Sequence, residues 1–233
     1  MPVFFTEQID GQYAILHEDE SRHLIRILRL KQGDPVDLVD GRGNLYKGII
    51  SVPNPQNTRI RILETIKDHL ARKYYLHLAI APTKSAERFE WFLEKATEIG
   101  VDEITPILCE RSERKHVRQE RSGKILLAAM KQSGRAYLPK LNPLVPLHWF
   151  LHQARADKKL IAHCRTNPDD FPGRSAAPNL SWLVLIGPEG DFTPKEVAMA
   201  TARNFREISL GEAVYRTETA GIVACQLISY INQ

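Results

Sequence analysis

Through the first seventy residues apolar and polar positions alternate in short runs; from about residue 74 onward, apolar stretches of strand length alternate with segments of helical period. The early runs predict strands over 3–6, 12–15, 35–40, 45–50 and 58–64. Alternation is plainest in Thr58-Arg59-Ile60-Arg61-Ile62-Leu63, and Asp40-Gly41-Arg42-Gly43-Asn44 joins two strands by a hairpin loop. Ser21 is placed to cap a helix over 22–30, with Leu24, Ile27 and Leu28 on its inward stripe and Arg22, Arg26 and Arg29 turned outward. These elements make residues 1–70 a small β-barrel-like module, and the polar stretch 67–73 is the best boundary.

The remainder, residues 73–233, reads as an α/β domain. Strands are predicted over 74–80, 104–108, 160–164, 182–186 and 207–210, with helices over 85–99, 121–133, 194–204 and 217–231. That alternation argues a mostly parallel sheet covered by helices on both faces. Helix 85–99 puts Phe89, Phe92, Leu93, Ala96 and Ile99 on one stripe and stops at Gly100. The segment 167–179, NPDDFPGRSAAPN, is a loop.

A chain of 233 residues can bury a core without disulfides or a structural metal. Its 43% hydrophobic and 26% charged residues exclude collagen-like and wholly disordered classes. No signal-peptide pattern opens the sequence and no apolar run nears the ~20 residues of a membrane span, so a cytoplasmic location is expected. Cys109, Cys164 and Cys225 stand apart, which suits buried reduced thiols. Among eight histidines only His148 and His152 share a helical spacing, and no acidic or Cys partner lies near them; no metal is expected.

The formal net charge is +4, and its distribution is more telling than its sum. Residues 110–135 hold Arg111, Arg114, Lys115, Arg118, Arg121, Lys124, Lys131 and Arg135 against Glu110, Glu113 and Glu120. Such a stripe suits a phosphate backbone, or is simply a solvated helix face.

Two segments carry candidate chemistry. In Trp182-Leu-Val-Leu-Ile-Gly187-Pro188-Glu189-Gly190-Asp191-Phe192-Thr193-Pro194-Lys195-Glu196 an apolar strand enters a glycine-bearing loop, and then Thr193, Pro194 and Glu196 spell a capping box. A loop after a parallel strand is where α/β sheets hold ligands, although a tight turn that only caps a helix has the same spelling. The phosphate-loop and dinucleotide fingerprints are missing. In Ile208-Ser-Leu-Gly211-Glu-Ala-Val-Tyr-Arg216-Thr217-Glu218-Thr219-Ala220-Gly221 a strand leads to a helix whose small first residues permit close packing of a ligand or a second backbone. Arg216 and Glu218 flank that opening, as site groups or as a surface ion pair.

These two segments, with Lys95-Ala-Thr-Glu98-Ile-Gly100-Val, Lys131-Gln132-Ser133-Gly134-Arg135 and Ser21-Arg22-His23-Leu24-Ile25-Arg26-Ile27-Leu28-Arg29, resemble the RsmE family, the 16S ribosomal RNA uracil-N3 methyltransferases. The resemblance spans the chain. It implies a PUA-like RNA-binding β-barrel over 1–70 and, over 73–233, a SPOUT-type α/β methyltransferase domain with a trefoil knot, working as a homodimer with S-adenosylmethionine. Carried over position by position, it implies a cofactor site of Ile186, Gly187, Pro188, Glu189, Gly190, Leu210, Gly211, Val214, Thr217, Thr219 and Ala220. It also implies a substrate in the decoding region of 16S rRNA on the assembled small ribosomal subunit. The chain departs from the family pattern at Asp191, where Gly is usual, and at Glu212-Ala213-Val214-Tyr215, where Pro-Arg-Ile-Leu is usual. Added carboxylates are tolerable beside a cationic sulfonium.

Methylation of N3 needs a cation to steady the developing uracil anion and a group to take its proton, which points to Arg216 as stabiliser and Glu218 as base. Arg22, Arg26, Arg29, Arg111, Arg114, Lys115, Arg118 and Arg135 are the expected RNA-facing cations. A non-catalytic RNA-binding or ribosome-assembly factor, or the same fold acting on another base, would share these features.

Overall fold

The computed structural model describes residues 3–165 and 180–232; the loop expected over 167–179 lies outside the described residues. The chain forms two compact units. The first comprises Met1–Ala71 and Leu127–Leu138, the second Arg72–Leu126 and Pro139–Gln233. The division at Ala71 falls within the polar stretch 67–73. The periodicity assigned 127–138 to the C-terminal domain, whereas Leu127, Met130, Ala136 and Leu138 cluster with Val39 and Leu45 of the first unit, because that is where their apolar faces find cover.

In the first unit, β1 (Val3–Phe5), β2 (Gln8–Asp10) and β3 (Tyr13–Ile15) precede α1 (Glu18–Arg22), followed by β4 (Pro35–Val39), β5 (Leu45–Val52) and β6 (Arg59–Ile66). They form one six-stranded sheet in the order β1-β4-β5-β6-β3-β2. The buried Thr6 donates its hydroxyl to Ile15 O at 2.5 Å and its backbone N–H to Val39 O at 3.1 Å, linking strands that lie far apart in the ladder. The sheet is therefore curled, around a core of Phe4, Leu16, Leu24, Leu38, Ile50 and Ile60.

Two details differ from the sequence reading. Helix α1 starts three residues before Ser21, in the acidic turn Glu18-Asp19-Glu20 that suits the positive end of a helix dipole. Ser21 is no cap: fully buried, it donates to Leu16 O (3.0 Å) and accepts from Thr58 N (2.8 Å). The chain then opens into a π-helical turn at His23–Ile27, in which Leu28 N reaches back to His23 O at 3.0 Å. The extra residue in the turn rotates the intended stripe, so Leu24 stays buried while Ile27 and Leu28 face solvent.

The second unit runs β7 (Tyr75–Ile80), α2 (Ala86–Ile99), β8 (Glu103–Leu108), α3 (Gln119–Gln132), β9 (Lys140–Leu141), β10 (Val145–Pro146), α4 (Leu147–Gln153), β11 (Lys158–Ala162), β12 (Ser181–Ile186), α5 (Pro194–Thr201), β13 (Arg206–Ile208) and α6 (Thr217–Ile231). The last six residues of α3, 127–132, belong with the first unit. The sheet order is β10-β8-β7-β12-β11-β13, with β9 also on β8, and every pairing is parallel. The near-continuous apolar runs of β7 and β12 reflect burial on both faces. On one face α4 and α5 cover Ala79, Ile107, Ile161, Leu183 and Leu185. On the other, α6 packs on α2, β7 and β12. Short β9 and β10 and helix α4 escaped the sequence reading, since Leu147–Gln153 covers barely two turns and sets up little periodicity.

The close approach of α6 is fixed at Gly221. A Cβ there would sit 2.6 Å from the buried Phe92 ring and 3.0 Å from Ile80 Cδ1. At the start of the strands lies a polar network: Glu103 accepts from Tyr75 OH (2.7 Å), Asn142 Nδ2 (2.6 Å) and Lys140 Nζ (3.0 Å), and His77 Nε2 lies 2.7 Å from Thr105 Oγ1. Burial alone would raise the Glu103 carboxyl, but the hydrogen bonds from Asn142 and Tyr75 and the field of His77 hold it down to about 2. Burial lowers His77 to about 4, against the opposing pull of Glu103.

Gly221→Ala should therefore lower stability by about 2 kcal/mol through overpacking against Phe92, read as a fall in the thermal midpoint. Because the folded His77 binds its proton only near pH 4 while the unfolded imidazole does so near 6.5, its contribution to stability is intact above pH 6.5 and drains away between 6.5 and 4. The loss belonging to Glu103 comes lower, between its unfolded value of 4.5 and about 2. Denaturation midpoints followed from pH 7 to 4 should fall, and fall less steeply for His77→Gln.

Candidate active site

Three loops, each leaving the C-terminal end of a strand, meet around a cavity of about 310 Å³. Ala162 ends β11 and leads to His163 and Cys164; Ile186 ends β12 and leads to Gly187, Pro188, Glu189 and Asp191; residues 209–217 follow β13 and lead to Ala220 in α6. Neighbouring parallel strands carry the first two loops side by side, which is how such sheets create a crevice.

Each loop is fastened at its back. Thr217, buried at the first position of α6, donates its hydroxyl to Gly187 O at 3.1 Å, joining the second loop to the third. Gly187 is confined from the other side, where a Cβ would lie 3.0 Å from the Phe192 ring. Ser209 Oγ accepts from Gly211 N at 3.2 Å and closes the turn after β13. The predicted capping box is present: Thr193 Oγ1 accepts from Glu196 N, and Glu196 Oε2 accepts from Thr193 N at 2.8 Å. The same buried carboxylate reaches further than the sequence motif requires, its Oε1 accepting from Glu110 N at 2.8 Å, so the loop after β8 hangs on the start of α5. Arg111 donates to Gly190 O at 2.7 Å, and Lys84 N donates to Glu189 Oε1 at 2.8 Å.

Of the sequence-predicted cofactor residues, Ile186, Gly187, Pro188, Glu189, Leu210, Gly211, Val214, Thr217 and Ala220 line the cavity. Gly190 faces the Arg111 side chain instead, and Thr219 sits half-buried on α6 outside the lining. Arg216 lines the mouth, exposed, at the N-cap of α6. Glu218 is buried in the first turn of α6 and off the lining: Oε1 lies 3.8 Å from Arg88 Nε, and Oε2 is buried with no hydrogen-bond partner. His163, Cys164, Ser209, Glu212, Ala213 and Tyr215, with Ala162 and Asp191, complete the lining and were not assigned to the site from sequence. The signal for the first two was their position at a strand end, but the adjacency of β11 to β12 is a tertiary fact. His163 Nδ1 accepts from Arg165 N at 3.2 Å, which leaves its Nε2–H to face Glu207 Oε2 at 2.7 Å.

The expected RNA-facing cations fall in both units. In the first, Arg22 pairs with Glu18, Arg26 and Arg29 are exposed, and Arg135 is half-buried. In the second, Arg111 is engaged by Gly190 and Lys115 is exposed, while Arg114 and Arg118 line a second cleft of about 610 Å³ with Lys84, His116 and Arg121. Glu87, Glu90 and Glu113 share that cleft; Arg121 is paired with Glu90 at 2.7 Å and Lys84 with Glu113 at 2.8 Å. Among the described residues no group of three or more His, Cys, Asp or Glu could hold a metal ion, and no helix is long and apolar enough to cross a membrane.

A parallel α/β sheet with a strand-end cavity, next to a curled sheet in sequence, defines a class that comparison identifies. The family model for an RNA methyltransferase domain matches residues 71–229, and that for an RNA methyltransferase PUA domain matches 16–63. A solved structure from Porphyromonas gingivalis is 37% identical, covers 100% of this chain and 98% of its own, and superposes with a TM-score of 0.87. Ribosomal RNA small subunit methyltransferase E of Mesomycoplasma hyopneumoniae is 31% identical over 236 residues, 94% of this chain and 95% of that protein. The Neisseria gonorrhoeae protein of that name, solved bound to S-adenosyl methionine, is 26% identical with a TM-score of 0.87 over 100% of this chain and 98% of its own. The chain belongs to the RNA methyltransferase family, in its small-subunit methyltransferase E (RsmE) branch.

Because Glu196 serves two loops, Glu196→Ala should leave the amides of Thr193 and Glu110 without acceptors. A loss of about 2 kcal/mol is expected, with faster hydrogen exchange at those two amides.

Proposed function

We propose that this chain uses S-adenosylmethionine to methylate N3 of a uridine in the decoding region of 16S ribosomal RNA, acting on the assembled small subunit. The observation that carries the reading is the three-loop cavity with Arg216 at its mouth, in a chain that superposes end to end on a relative solved with that cofactor. The cavity fits the group. Its volume falls at the lower end of the roughly 300–1,000 Å³ of small-molecule sites. Ile186 and Leu210 offer apolar wall for an adenine, and Glu189, Asp191 and Glu212 supply carboxylates for a cationic ligand. When bound, the cofactor supplies an electrophilic methyl group on a sulfonium.

This chain's residues would do the rest. Displacement at a methyl group requires alignment, which the fastened loops provide. Uracil N3 is nearly neutral at pH 7 and becomes anionic as it attacks, so the Arg216 guanidinium stabilises the charge gathering on the base carbonyls. Glu218 is the proton acceptor in this reading, supported by its Oε2, which is buried without a hydrogen-bond partner. N3 is hidden by base pairing, so the target is unpaired or flipped out. Arg22, Arg26, Arg29, Arg111, Arg114, Lys115, Arg118 and Arg135 face the RNA in this reading. The curled sheet of the first unit is the PUA-like barrel, the second unit is a SPOUT-type domain whose end forms a trefoil knot, and the active species is a cytoplasmic homodimer.

Labelled S-adenosylmethionine incubated with unmodified small subunits should yield 3-methyluridine on nucleoside mass spectrometry. Arg216→Ala should reduce turnover by about 10²–10³ at saturating cofactor with little change in cofactor affinity. Glu218→Gln should lower kcat with little change in cofactor affinity. Methylation of a different nucleoside would retain the enzyme and replace the target.

A further inference from the structure

We propose that Asp191 sets the preference of this cavity for the cationic methyl donor over the neutral thioether that remains after transfer, an inference that rests on the function proposed above. Asp191 stands at φ +61°, in the left-handed region where a Cβ is unfavourable and glycine is at ease. The chain places a carboxylate there. Its Oδ1 accepts from Phe192 N at 2.8 Å, and its Oδ2 accepts from Cys164 N at 3.3 Å. One side chain thus spans the loops after β11 and β12, and it lines the cavity between them.

The other charges around the cavity are held differently. Glu189 is exposed and has one oxygen on Lys84 N, Glu212 lies on an exposed turn, and Arg216 is exposed at the mouth. His163 is paired with Glu207. Asp191 is the lining carboxylate whose backbone and both oxygens are fixed, so its negative charge is presented without reorganisation. A sulfonium donor and its thioether product have nearly the same shape and differ by one positive charge. Shape cannot separate them well, but a fixed anion can, because it favours the ligand that carries the extra charge. The same preference speeds product release.

The test is calorimetric titration of the full chain with S-adenosylmethionine and with S-adenosylhomocysteine, for the wild type, Asp191→Asn and Asp191→Gly. Asn keeps an oxygen for the Phe192 amide, and in Gly the relief of left-handed strain offsets the two lost hydrogen bonds, so both variants should stay close to the wild-type thermal midpoint. Donor affinity should fall about tenfold in each while thioether affinity stays within about twofold. Added salt should narrow the wild-type preference in the same direction. Equal weakening of both ligands, or an unchanged ratio, overturns the proposal by reducing Asp191 to a loop brace. Failure of the wild-type chain to bind either ligand overturns the methyl-donor reading itself.

Discussion

The second unit depends on how closely α6 can approach the sheet. At Gly221 there is no room for a single additional carbon, since Phe92 and Ile80 already occupy the space. That contact sets the depth of the helix, and the depth brings the Thr217 hydroxyl, four residues earlier and one turn away, onto the Gly187 carbonyl. Without it the loops after β12 and β13 would be independent surface turns. With it they become two walls of one cavity, and a packing constraint has become a site.

The two ends of the parallel sheet are treated differently. Near the strand starts, Glu103 satisfies Tyr75, Asn142 and Lys140 at once, and the half-buried His77 packs edge-on against Phe150; such a network rigidifies because each member is satisfied. At the strand ends the polar groups are arranged to tie loops to one another: Glu196 holds α5 and the loop after β8, and Asp191 spans the loops after β11 and β12. The rigid end provides the frame against which the other end can be shaped.

Much of this was legible in the sequence. The capping box at Thr193 and Glu196, the start of α6 at Thr217 and the parallel α/β order all follow from spacing within one segment, and local physics decides them. Features settled by neighbours were not legible. Ser21 looks like a cap until its hydroxyl is claimed by Leu16 and Thr58, thirty-seven residues downstream in the second case. The stripe through Leu24, Ile27 and Leu28 assumes an α-helical turn, which a single π turn undoes. Residues 127–138 show an ordinary amphipathic pattern, and no pattern says which core will cover it. In the site, the Gly187 and Gly211 loops were named, while His163 and Cys164 were missed because their loop joins the others only through strand adjacency.

The most informative residues are those that break local rules. Arg216 occupies the N-cap of α6, where Ser, Thr, Asp or Asn would satisfy a free amide and where the helix dipole disfavours a cation; it makes no capping bond. Asp191 occupies a left-handed position that glycine would fill without strain. Glu218 buries a carboxylate oxygen with no partner. Each choice costs stability where a common substitution would recover it. Arg216 and Asp191 line the cavity, and Glu218 lies two residues beyond Arg216 in the turn that helps enclose it. A fold whose local choices are otherwise consistent departs from consistency where its chemistry is done, because charge must be placed there for a ligand and a reacting base rather than for the helix that carries it.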